Sequence, residues 1–74
     1  MEDKHSLVQW RKERMLSQQQ LSIKTGISVR TIQDYEQHRR KLSHAKIETV
    51  KKLADVLGCT MEDLLKSEMN EKQF

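Results

Sequence analysis

The stretch LSQQQLSIKTGISVRTIQDYE, residues 16–36, decides the fold. Ser17 followed three residues later by Gln20 is a capping box. The serine hydroxyl accepts from the Gln20 amide while the glutamine side chain returns to the serine amide. A helix therefore covers residues 18–24 with Leu21 inward, and Gly26 closes it because glycine tolerates the left-handed backbone a helix end requires. Ser28 is the next N-cap and opens a helix through residue 36, with Ile32 and Tyr35 on its inner face. Only Thr25, Gly26 and Ile27 lie between the two helices, too few for an antiparallel hairpin. A turn of this length containing glycine joins helices at a corner of ~90–120°, and Ile27 is placed to plug that corner from below.

Working outward, residues 6–14 read as a first helix with Leu7 and Trp10 on one face. Residues 37–43 form a polar, basic connection. A fourth helix over residues 44–57 places Ile47, Val50, Leu53, Ala54 and Leu57 in one stripe, the strongest periodicity in the chain, and Gly58 ends it. Thr60 caps a short fifth helix over residues 61–66, with Leu64 and Leu65 apolar and Asp63 at its third position. Residues 67–74 read as a frayed polar tail. There is no proline, no sustained period-two alternation and no hairpin signal, so the domain over residues 1–66 is expected to be all-α.

Composition narrows the function. Seventy-four residues make one domain, small enough to bury only ~60% of its unfolded surface. Charged residues reach 34% and the net charge is +3. That charge is uneven: nine Lys/Arg oppose five Asp/Glu in residues 1–44, and five oppose six in residues 45–74. A basic front and a slightly acidic back suit one surface facing a polyanion. Cys59 is the single cysteine, which excludes an intramolecular disulfide and a multi-thiolate metal site. It is expected to act as a small buried hydrophobe. His5, His38 and His44 lack metal-ligand spacing, and no nucleophile–base pair or phosphate-cradling loop can be assembled. No enzyme, metal or cofactor is expected. With no apolar run of membrane-spanning length and no signal-peptide core, a cytoplasmic protein is expected.

Residues Leu16 to Leu21, Gly26-Ile27-Ser28, Thr31-Ile32 and Glu36 resemble the phage-repressor/Cro (xenobiotic-response-element) helix-turn-helix family. The downstream Glu48-Thr49-Val50, Leu53-Ala54, Leu57-Gly58-Cys59 and Met61 to Leu65 are similar to that family's fourth and fifth helices. The resemblance spans about residues 6–66 and implies a compact five-helix, lambda-repressor-like DNA-binding domain. The chain departs from the pattern at several points. Met15 replaces the usual glycine after helix one, Trp10 a common leucine, and Gln37-His38 the usual Asn-Gly after the recognition helix. The connection to helix four is about three residues longer than the commonest form and lacks its frequent proline.

The resemblance also implies roles. Ser28, Val29, Arg30 and Asp34 match the base-facing positions of the third helix, and Gln18 and Thr31 lie among the phosphate-facing ones. Arg11 and Glu36 match a structural salt bridge between helices one and three. The chemistry agrees with these assignments. The opposite stripe of helix three is committed to the core, and an arginine fork at position 30 can bond guanine in a bidentate manner. Asp34, one turn after Arg30, is expected to pair with it and steady the fork, or to accept from a cytosine amine. Arg39, Arg40 and Lys41 are expected to neutralise phosphates.

The resulting expectation is a sequence-specific transcriptional regulator, a repressor of phage, plasmid or mobile-element type, binding an inverted-repeat operator in double-stranded DNA. With no second domain in sight, a homodimer is expected to form through helix five, the edge of helix four and the tail. The rival is an antitoxin or protein-interaction module on the same fold, with a toxin or antirepressor as partner.

Overall fold

Serine and threonine side chains set where four of the five α-helices begin, the fourth starting after Lys46 without a side-chain cap. The computed structural model describes residues 6–71, with side chains through Lys66, and its α-helices are α1 (Leu7–Glu13), α2 (Gln18–Thr25), α3 (Val29–Glu36), α4 (Ile47–Leu57) and α5 (Met61–Glu71). Capping boxes open α1 and α2. The Ser6 hydroxyl accepts from the Gln9 amide at 3.3 Å and Gln9 Oε1 from the Ser6 amide at 3.0 Å. The corresponding Ser17–Gln20 distances are 3.0 and 2.8 Å. Thr60 and Asp63 exchange bonds of 3.0 and 3.1 Å in the same way at the start of α5. Hydrogen bonding to the Thr60 amide first, and to the Thr60 side chain second, holds the Asp63 carboxyl below its ordinary pKa. Gly26 and Gly58 end α2 and α4 in the left-handed conformation. Among the described residues there are no strands, and the fold is all-α with five helices, as expected.

Leu21 of α2, Ile32 and Tyr35 of α3, Val50, Leu53, Ala54 and Leu57 of α4, and Leu64 of α5 meet Leu7 of α1 in one core. Leu21, Leu53 and Leu57 are fully buried. Side chains of this kind each stabilise the fold by ~1.5–3 kcal/mol relative to exposure. The corner between α2 and α3 is tied by a residue whose polarity hides its role. Thr25 is buried, its hydroxyl donates to the Leu21 carbonyl at 2.8 Å, and it accepts from the Ile27 amide at 3.2 Å. The half-buried Ile27 packs on the core beside it.

Three boundaries differ from the expectation. The connection after α3 is not simply polar, because Leu42 is buried and is carried into the core by a 3-10 turn, Leu42–His44. That turn delays α4 to Ile47. Ile47 is consequently 69% exposed at the first helical position rather than part of the inner stripe, which begins at Val50. The fifth helix continues to Glu71 instead of stopping near Lys66. The expectation of a frayed tail falls on side chains beyond Lys66, and on residues 72–74, that lie outside the described residues.

Met15 and His38 replace glycine at the two turns named above, and both adopt positive φ, 59° and 64°. Each carries a backbone cost of roughly 1–3 kcal/mol that a glycine would not. At the α4–α5 junction Arg14 stands over the Trp10 ring, 5.7 Å from its centroid. A β-carbon on Gly58 would lie 3.1 Å from Arg14 Nη2, so the guanidinium sits by the carboxyl end of α4, where a cation is favoured.

Cys59 in this junction is half-buried. Burial, aided by the Asp63 carboxylate and opposed by Arg14, raises its thiol from 9.0 to about 11. A raised thiol pKa favours the protonated folded state, so this stabilisation is complete below about pH 9 and disappears as pH rises towards 11. Alkylation of the native protein should therefore show a rate midpoint near pH 11, against about 9 after unfolding in urea. Equal midpoints in the two states would contradict this placement of Cys59.

Candidate nucleic-acid interface

Thr31 in the first turn of α3 and Arg39, Arg40 and Lys41 just beyond its end line one open cleft. Ser28 precedes α3 and caps it, accepting from the Thr31 amide at 3.1 Å and donating to Thr31 Oγ1 at 2.9 Å. The donor and one lone pair of Ser28 are thus engaged, leaving one lone pair for an incoming amine. Arg30 is exposed and Val29 half-exposed, while Ile32 and Tyr35 on the opposite stripe are buried. Among the described residues Arg30 pairs with no carboxylate, and its side chain is exposed.

The pairing expected between Arg30 and Asp34 is not formed. The Asp34 carboxylate accepts instead from Arg39 Nε at 3.3 Å and from Arg40 Nε at 3.2 Å, one oxygen to each. The reason lies in the backbone. His38 in its left-handed conformation turns the chain back, so that the Arg39 and Arg40 amides both donate to the Asp34 carbonyl, at 2.8 and 3.2 Å. Two arginines are thereby delivered to one aspartate, and the i,i+4 partner on the helix is outcompeted.

Arg39, Arg40 and Lys41 line this open cleft of about 650 Å³ together with Ile27, Thr31, Tyr35, His44 and Lys46. Among the described residues no carboxylate lines this cleft. His44 and Lys46 were not among the residues expected from sequence. They come to the cleft with the 3-10 turn, which packs on α5 and brings the connection across from α3, and nothing local in the sequence marks that turn.

Gln18 occupies the first position of α2, but its side chain points into the protein. Its Nε2 donates to Glu36 Oε1 at 2.8 Å and its Oε1 accepts from Gln33 Nε2 at 3.2 Å. Glu36 is shared with Arg11, whose Nε and Nη2 donate to the two carboxylate oxygens at 2.6 and 3.1 Å. Arg11 Nη1 also donates to the Leu16 carbonyl at 2.9 Å. The Arg11 and Glu36 side chains are only 11% and 5% exposed. One network thus joins α1, the α1–α2 turn, α2 and the end of α3, and fixes the recognition unit on the rest of the domain. A second amide hydrogen of Gln18 and the first backbone amides of α2 are what this helix can offer a phosphate.

The helix-turn-helix family model matches residues 7–64. The chain belongs to the phage-repressor/Cro (xenobiotic-response-element) helix-turn-helix family, a family of DNA-binding transcriptional regulators. Comparison with curated proteins and with solved structures returned no match. No helix among the described residues is long and apolar enough to cross a membrane.

Proposed function

We propose that this chain is a sequence-specific repressor of phage, plasmid or mobile-element type that binds an inverted-repeat operator as a homodimer. In this reading the N-terminal half of α3 enters the major groove. Arg30 reads a guanine through its fork, Val29 meets a thymine methyl, and Ser28 accepts from a base amine. Thr31, the first turn of α2 at Gln18, and Arg39, Arg40 and Lys41 hold the backbone on either side. The observation that carries the reading is the division of α3. Ile32 and Tyr35 on one stripe are buried, Arg30 on the other is exposed and pairs with no carboxylate among the described residues, and a cationic turn shares a cleft with Thr31.

Dimerisation follows from information content. One recognition helix reads only a few base pairs, and two-fold dimers of this architecture set their helices ~34 Å apart to read two half-sites.

Two substitutions separate reading from holding. Arg30→Ala should abolish preference at one base pair in each half-site, losing ~1–3 kcal/mol of discrimination there. Because the residue is exposed, thermal stability should be unchanged. Lys41→Ala should weaken binding about equally to every sequence and lower the salt slope by ~1 per protomer, since a phosphate contact carries no base information. Both variants are to be titrated against a panel of single-base operator variants. An unchanged preference profile in Arg30→Ala would remove α3 from the groove.

A further inference from the structure

Asp34 is an acidic side chain placed among the cations of the candidate interface, and its geometry is unusual for an exposed ion pair. A single carboxylate takes the Nε of two consecutive arginines, one on each oxygen. Its own carbonyl takes the backbone amides of the same two residues. Asp34 is 18% exposed while the arginines are 59% exposed, so the carboxylate is tucked inward and the guanidiniums extend over it. The bonds to the aspartate run through Nε of each arginine, so the terminal Nη donors remain for other acceptors.

We propose that Asp34 is a specificity-determining residue that acts by restraining Arg39 and Arg40. The inference rests on the DNA-binding reading above and deepens it. Non-specific binding to duplex DNA is driven by counterion release and scales with the number of phosphates neutralised, with little demand on orientation. A carboxylate shared by two arginines cancels one of their two charges and so weakens this indiscriminate attraction. Binding in a single register makes the opposite demand. There, two arginines already fixed relative to α3 lose less side-chain entropy on meeting their phosphates. Asp34 therefore lowers affinity for arbitrary sequence more than affinity for the operator.

Asp34→Asn keeps the shape of the side chain and removes its charge. The test measures binding of the full chain to a mixed-sequence 30-base-pair duplex and to a duplex selected from a randomised library, across a salt series. The expected result on the mixed duplex is several-fold tighter binding and a salt slope steeper by about one per protomer. The ratio of selected to mixed-sequence affinity should fall about tenfold. Asp55→Asn, which changes net charge equally from an exposed position on α4, should leave the slope as in wild type. In an Arg39→Gln/Arg40→Gln background Asp34→Asn should no longer change the slope. A helical circular-dichroism melt confirms that each variant is folded.

An unchanged slope in Asp34→Asn, or an equal steepening in the background lacking both arginines, overturns the restraint. A loss confined to one base pair, with mixed-duplex binding unaltered, overturns it in favour of direct reading of a base by Asp34. Absence of salt-dependent binding to either duplex by the wild type overturns the DNA-binding reading, and the restraint with it.

Discussion

Arg11→Ala should lower stability by about 3 kcal/mol or more, because it strips a nearly buried carboxylate of its cation. Glu36 is 5% exposed and bonds Arg11 through both oxygens. Exposed ion pairs contribute only ~0–1 kcal/mol; here the size of the loss comes from leaving Glu36 charged and uncompensated away from water. The Leu16 carbonyl also loses its donor. Set against a total of roughly 4–11 kcal/mol for a chain of this length, the change would leave a marginal fold. With a urea m-value of ~1 kcal/mol/M for so small a domain, the denaturation midpoint should fall by about 3 M.

Replacing both partners by apolar residues, Arg11→Met with Glu36→Leu, should recover most of that loss, since the desolvation cost disappears with the charges. Recovery will be incomplete by ~1 kcal/mol, because Gln18 Nε2 loses its acceptor on Glu36. An Arg11→Ala midpoint within about 0.5 M of wild type would contradict the account of this network.

Affinity for a selected operator should fall about a hundred- to a thousandfold between 50 and 200 mM salt. Each protomer brings Arg39, Arg40 and Lys41 to the edge of the cleft beside α3, and Asp34 cancels one of those charges. A dimer therefore neutralises about four to six phosphates, each adding ~0.9 to the slope of log affinity against log salt. Titration by fluorescence anisotropy at four or five salt concentrations gives the slope directly. A flat response would mean that the basic turn does not face phosphate, and the interaction-module reading of the same fold would take precedence.

Much of the fold was legible because its signals are local. Ser17-Gln20, Ser28, Gly26 and Gly58 fix helix ends through bonds within four residues. The 3.6-residue spacing of Val50, Leu53, Ala54 and Leu57 fixes the buried face of α4. Leu42 was harder, since one leucine among Arg39, Arg40, Lys41 and Ser43 has no periodicity, and only tertiary packing makes it a core residue. Its burial in turn shifted the start of α4 and exposed Ile47.

The candidate site divides along the same line. The exposed and buried stripes of α3 follow from spacing alone. The partner of Asp34 does not, because a helical i,i+4 argument favours Arg30 while the turn at His38 brings Arg39 and Arg40 closer. The departure from Asn-Gly at Gln37-His38 was the available signal that this turn required attention. The inward turn of Gln18 likewise depends on Gln33 and Glu36, fifteen and eighteen residues away.

The central claim, that α3 reads base sequence from two symmetry-related copies, is tested most directly by selecting bound duplexes from a randomised library with the wild-type chain. The account predicts enrichment of an inverted repeat whose half-site centres lie about 10 base pairs apart, one turn of the duplex, with a preferred guanine in each half-site that is lost when the selection is repeated with Arg30→Ala. A pool no different from the input, or a single non-palindromic site bound one-to-one, would contradict it.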